Sequence, residues 1–165
     1  MTDMRYEAPQ SLDAAVALLA GANGGGKILA GGTDVLVQLH AEMIEPDVLV
    51  DIKNIADVRQ ISEEAGAWRV GAAVPGMQVI DDAGFSKAWP GVCEGVALIG
   101  SVQVKGRASI GGNVCNGSPA ADSVPGLIAA DAVATIIGPD GTREEPVENI
   151  VTGPGKTSLG EGEFI

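Results

Sequence analysis

From Ser11 to Gly21 (SLDAAVALLAG) the apolar side chains fall at Leu12, Ala15, Val16, Leu18 and Leu19, a helical period with a serine at the N-cap position and a glycine stop. This spacing predicts an amphipathic helix. The turn Gly24 to Gly26 follows, and then a short apolar run, Lys27-Ile28-Leu29-Ala30, that reads as a strand. Asp34 to Met43 returns to a helical pattern. Asp47-Val48-Leu49-Val50-Asp51-Ile52 is a continuous apolar run, as in a strand buried on both faces. The strand, helix, strand order predicts a parallel pair.

Beyond Lys53-Asn54 the pattern turns antiparallel. Val58 to Ser62 and Trp68 to Ala72 flank Glu63-Glu64-Ala65-Gly66 as the arms of a hairpin. Pro75 to Ala83 and Pro90 to Ile99 are expected helices, each with proline where a first-turn N–H needs no partner. A further helix is expected from Asp122 to Ala130. Ala132 to Ile137 and Thr142 to Val147 surround Pro139-Asp140-Gly141, a second hairpin with strong turn chemistry. The expected fold class is α+β in two subdomains, parallel α/β over residues 1–55 and antiparallel α+β over 56–165, with a ligand between them. Ser158 to Ile165 reads as a turn entering a new strand with nothing after it to close the sheet, as in a piece of a longer protein or a naturally short one.

Composition narrows the ligand. With 165 residues and 45% hydrophobic content, the chain is long enough for one good core or two small ones. Its net charge is −12 and its ten Lys and Arg residues are scattered, so a nucleic acid would meet repulsion. No apolar run reaches the length of a transmembrane helix and no secretory leader opens the chain, so a cytoplasmic location is expected. Cys93 and Cys115 have no partner at metal spacing, and an iron–sulfur cluster needs about four thiolates. Any cluster is expected on another chain. Glycine, at 24 residues, is roughly twice its ordinary share of about 7% and is concentrated in short loops.

Two of those loops, Ala30-Gly31-Gly32-Thr33-Asp34 and Ser109-Ile110-Gly111-Gly112-Asn113, stand eighty residues apart, each where a strand-like run ends. Adjacent glycines bring backbone N–H groups close to an anion and permit positive φ. The pair suggests one diphosphate held from two sides. The first loop fails the Gly-x-Gly-x-x-Gly dinucleotide pattern and lacks the Lys-Ser/Thr of a P-loop. The second lies in a longer string from Gln103 to Asp122, where Lys105 and Arg107 are either phosphate contacts or part of a solvated turn. Asn113, Asn116 and Ser118 either bind ligand or tie down the loop through their own backbone.

With this string in view, the chain resembles the FAD-binding medium subunit of the molybdenum hydroxylases, the group that contains bacterial carbon monoxide dehydrogenase and the flavin domain of xanthine dehydrogenase. The likeness covers Tyr6 to Pro9 and the helix after it, the Ala-Gly-Gly-Thr-Asp loop, the Ser-Ile-Gly-Gly-Asn-Val-Cys-Asn-Gly-Ser-Pro-Ala-Ala-Asp string, and Thr152 to Thr157. It implies a two-subdomain FAD-binding fold of the vanillyl-alcohol-oxidase (PCMH) type. It also implies pyrophosphate contacts from Leu29, Ala30, Gly31, Gly32, Thr33 and Asp34 and from Ser109, Ile110, Gly111, Gly112 and Asn113. Asp122 would meet the adenosine ribose, its alternative being an N-cap for the following helix. Ile99 would lie beside the isoalloxazine, its alternative being plain core packing. Cys115 fills a position of small-residue packing, and His40 is expected to face solvent.

The function the resemblance implies is electron transfer, with FAD as this chain's cofactor. Substrate would react at molybdopterin on a large subunit, and electrons would pass through [2Fe–2S] clusters on a small subunit to FAD and then to an external acceptor. No catalytic side chain, bound metal or nucleic acid partner is expected. The family's C-terminal domain is missing from the sequence, which motivates a rival reading as a flavin-free scaffold that docks partner subunits. A free-standing oxidase or reductase of the wider flavin fold ranks last, because no base or covalent flavin attachment residue stands out near the loops.

Overall fold

The computed structural model describes residues 4–22 and 24–165. Strand β1 (Arg5–Glu7) leads into helix α1 (Leu12–Ala20), where the Ser11 hydroxyl accepts the Ala14 N–H at 3.2 Å as the cap that the sequence predicts. Strand β2 (Gly26–Leu29), helix α2 (Val35–His40) and strand β3 (Val48–Asp51) follow. The three strands form a parallel sheet in the order β1-β3-β2. All four residues of the central strand are buried, which accounts for the apolar run Val48 to Val50, and the strand ends on the buried Asp51, which accepts the Tyr6 hydroxyl at 2.6 Å. Strand β1 was not legible: Arg-Tyr-Glu is a short, largely exposed edge with no alternation to read. The second helix is shorter than the predicted Asp34 to Met43, because the chain turns at Glu42 with φ 56°.

Two 3₁₀ turns, Ile52–Asn54 and Ala56–Arg59, carry the chain into a hairpin of β4 (Ile61–Glu64) and β5 (Ala67–Val70). Val58 belongs to the second of these turns and not to the strand, and Glu63 and Glu64 extend the ladder. The turn is the pair Ala65-Gly66, with φ 51° and 84°, the primed geometry that fits strand twist. Helices α3 (Gly76–Asp81) and α4 (Ala83–Ala88) replace the single predicted helix from Pro75 to Ala83. The break falls at Asp82, whose carboxylate accepts the Phe85 N–H at 2.8 Å and starts a new helix. Helix α5 (Pro90–Leu98), the short α6 (Val102–Lys105), α7 (Ile110–Asn116) and α8 (Ser123–Ala129) complete the helical layer. Strands β6 (Val133–Gly138) and β7 (Gly141–Pro146) pair as the second hairpin, and β8 (Val151–Gly153) pairs with β9 (Lys156–Thr157).

The buried side chains fall into two clusters. One joins Ala15, Leu19, Val48, Val50 and Ile52 under α1 and the parallel sheet. The other gathers Val79, Val96, Val114, Leu127 and Ile136 between the later helices and β6. Ala73 sits in the first and Val74 in the second, so adjacent residues here serve different cores. No helix among the described residues is long and apolar enough to cross a membrane.

The segment from Ser158 to Ile165 does enter a new strand-like pairing. Phe164 exchanges both backbone hydrogen bonds with Ile137, at 2.8 and 2.9 Å, in an antiparallel bridge beside β6. Its ring is 2% exposed and lies in the first core, so this segment ties the two clusters together. The Arg143 guanidinium fixes the same segment from outside. It donates to both carboxylate oxygens of Glu163, at 2.9 and 2.8 Å, and also to Glu145. With the Gly160 N–H donating as well, these contacts hold the Glu163 carboxyl down at about 2, against an ordinary 4.5.

A folded-state value below the unfolded one stabilises the fold above about pH 4.5, and that contribution disappears as pH falls towards 2. Glu163→Gln should therefore melt below the wild type at pH 6, with the difference closing as pH falls to 2. Melting both proteins across that range checks the ion pair.

Candidate flavin site

The first glycine loop leaves the end of β2 and enters α2. Gly32 adopts φ 81°, a conformation that strains any residue with a Cβ. Gly31 serves packing instead: a Cβ there would stand 2.1 Å from the Arg107 carbonyl oxygen and 2.9 Å from the Ala108 Cα. The backbone of the first loop therefore lies directly on the two residues that precede the second. The backbone N–H groups of Gly31 through Val35 make no backbone hydrogen bond among the described residues.

The second loop follows α6 and forms the first turn of α7, where the sequence pattern suggested the end of a strand. Ser109 is the N-cap, its hydroxyl accepting the Gly112 N–H at 3.1 Å. Gly76 N–H donates to the Ala108 carbonyl at 2.8 Å, which anchors the approach to the loop. Gly111 is packed against Ala72, whose Cβ would be 2.6 Å from an added methyl. Gly112 is different. A Cβ there would meet only the Ser109 hydroxyl, at 3.1 Å, so this face of the loop is open.

Both loops line one cavity of about 610 Å³, within the roughly 300–1,000 Å³ usual for a small-molecule or cofactor site. Ala30, Gly31, Gly32, Thr33 and Asp34 come to it from the first loop, and Ser109, Gly111, Gly112 and Asn113 from the second. Ile99 and Asp122 line it too. Leu29 and Ile110 do not: they are 6% and 9% exposed and pack behind the loops. Ile99 belongs to the larger core and also lines the cavity.

The polar side chains divide by role. Asn113 Oδ1 accepts from the Ser123 hydroxyl at 2.5 Å and the Ser123 N–H at 3.3 Å, locking α7 to the start of α8. Asp122, the next residue back, lies on the cavity wall, and its side chain does not cap α8. Ser118 ties its own turn by accepting the Ala120 N–H. Lys105 is drawn away, donating to the Ala97 and Gly100 carbonyls at the end of α5. Arg107 is exposed and does not line the cavity. Lys27 is the only cationic side chain lining the cavity among the described residues.

Backbone amides must therefore do most of the work for any anion held between the loops, as in other concave amide sites. This donor set fits a dinucleotide diphosphate, with the free Asp122 carboxylate suited to hydroxyl donors. Burial pushes the Cys115 thiol up to about 11, so it is a protonated small group in the wall. His40 is exposed at the end of α2. The sequence reading missed Gln38 and the wall formed by Leu159 to Phe164. Gln38 stands one helical turn after Asp34, so its position on the loop's face was available from spacing alone.

Two amide-rich loops on one cavity suit a nucleotide's phosphates, and similarity to known proteins specifies the class. The chain belongs to the family described as the FAD binding domain in molybdopterin dehydrogenase, whose model matches residues 2–165. It is 39% identical over 161 residues to a xanthine dehydrogenase FAD-binding subunit of Escherichia coli O157:H7, covering 97% of this chain and 55% of the relative. It is 34% identical to the carbon monoxide dehydrogenase medium chain of Hydrogenophaga pseudoflava, covering 97% and 56%. The solved structure of carbon monoxide dehydrogenase from that organism superposes with a TM-score of 0.94 at 33% identity, over 98% of this chain and 56% of that one. The chain thus spans about half the length of the curated relatives it matches.

Gly31 and Gly112 are expected to separate in mutagenesis. Gly31→Ala should melt well below the wild type, because its methyl would collide with backbone that cannot yield. Gly112→Ala should fold with a nearly unchanged melting temperature and lose ligand affinity. Thermal melts with and without FAD distinguish the two outcomes.

Proposed function

We propose that this chain is the FAD-holding part of an electron-transfer subunit in a molybdenum hydroxylase of the xanthine or carbon monoxide dehydrogenase type. The observation that carries the reading is the pair of amide-rich glycine loops on one cavity, where Lys27 is the one lining cation among the described residues. Residues 1–55 would supply one jaw of the clasp and residues 56–165 the other. The diphosphate would rest on the N–H groups of Gly31 to Asp34 and of Ile110 and Gly111, with Leu29, Ala30, Ser109, Gly112 and Asn113 setting the shape of the two loops. The Asp122 carboxylate would accept the adenosine ribose hydroxyls. Ile99 would exclude water beside the isoalloxazine.

The bound flavin supplies the capacity to take up electrons singly or in pairs and pass them on. The chain's own residues would bind and orient it, with no side chain assigned as acid, base or nucleophile. Electrons would arrive from [2Fe–2S] clusters on a small partner subunit, after substrate has reacted at molybdopterin on a large one, and would leave to an external acceptor. The complex would work in the cytoplasm.

Adding FAD to the chain should raise its melting temperature, by an amount corresponding to about 2.7 kcal/mol at a hundredfold excess over Kd. Asp122→Ala should weaken FAD about ten- to a hundredfold, the range for lost hydrogen bonds to a charged group. Its ligand-free melting temperature should stay put, because this side chain caps nothing. Riboflavin, lacking the ribose and diphosphate, should be indifferent to the substitution. No stabilisation by FAD at high concentration would favour the scaffold reading instead.

A further inference from the structure

Helix α2 carries the first glycine loop but has no fully buried residue, and Leu36 and Val37 on it are 45% and 62% exposed. Hydrophobic packing therefore holds this helix only weakly. The Gly31 contact fixes the base of the loop, while Gly32 to Val35 have no backbone bond from their N–H groups. Some other tie must set how far α2 stands from α7. Among the described residues the tie present is a single side-chain hydrogen bond: Gln38 Nε2 donates to Asn116 Oδ1 at 3.2 Å, linking positions 78 residues apart.

Resting on the flavin reading above, we infer that Gln38 and Asn116 are a positioning pair that fixes the spacing of the two glycine loops before FAD arrives. Each sits about one turn beyond its loop, Gln38 four residues after Asp34 and Asn116 three residues after Asn113. Both line the cavity. Each is anchored at its own end. The Gln38 N–H donates to the Asp34 carbonyl at 2.9 Å, so the amide moves with the loop. Asn116 closes α7 just before Gly117, whose carbonyl accepts the Gly155 N–H at 2.9 Å.

The consequence follows from preorganisation. Apparent affinity falls in proportion to the fraction of ligand-free protein that already has the binding geometry. Without the Gln38–Asn116 bond, α2 can drift from α7 and that fraction shrinks, even though each loop keeps its internal structure. The cost belongs to binding and not to global stability, because the bond links two partly exposed side chains outside both cores.

The test uses the 165-residue chain with Gln38→Ala, Asn116→Ala, the double variant, and the exchange Gln38→Asn with Asn116→Gln, which keeps the combined length of the two side chains. FAD affinity is read from quenching of flavin fluorescence and ligand-free stability from thermal melts. Each single variant should weaken FAD about three- to tenfold, the range expected for one net hydrogen bond. The double variant should bind no worse than the weaker single, the exchange should recover most of the loss, and ligand-free melting should be nearly unchanged throughout. Additive losses, or unchanged affinity in both singles, would overturn the pairing while leaving the flavin site standing. Failure of the wild type itself to bind FAD would overturn the flavin reading and this inference with it.

Discussion

One backbone contact governs how the site is built. Gly31 lies so close to the carbonyl of Arg107 that no side-chain atom fits between them. Through that contact the turn after β2 and the cap of α7 become two sides of a single cavity. Everything that shapes a ligand there, including the orientation of the free amides, depends on two stretches of main chain meeting without a Cβ to separate them. Glycine is needed at this point for closeness, and at Gly32 for a left-handed backbone.

The charge of the chain gives this arrangement its chemical sense. With Lys27 the one cation lining its cavity among the described residues, this acidic protein has little ion pairing to offer an anion there. Oriented peptide dipoles attract the anion without long cationic side chains, whose ordering costs conformational entropy. Lys105, the cation nearest the second motif, is occupied with closing the end of α5. Local helix completion has taken the residue that composition would have assigned to phosphate.

Much of this was legible in the residues. Helix α1 announced itself through its period and its Ser11 cap, β3 through its apolar run, and the second hairpin through Pro139-Asp140-Gly141. The Gly-Gly pairs marked the site. What stayed hidden depends on partners distant in sequence. Nothing local distinguishes Gly111, pressed on Ala72, from Gly112, open to the cavity, although the two are adjacent. Asp82 looked like the interior of one helix because its capping bond competes with helix continuation only once Phe85 has turned back. Leu29 and Ile110 adjoin the glycines, but their side chains are buried behind the loops, which leaves only their main chain for a ligand.

Phe164 has a further meaning for the order in which the protein is made. The parallel sheet and α1 are assembled from residues 5–51, yet the ring that seals their core comes from a position more than a hundred residues later. During synthesis the ring that completes the first core emerges only after β6, which carries its backbone partner Ile137. Loop closure over that distance costs only slightly more than over a shorter one, so the penalty is one of time and not of final stability. The second half of the chain is, in this sense, the template on which the first half is finished.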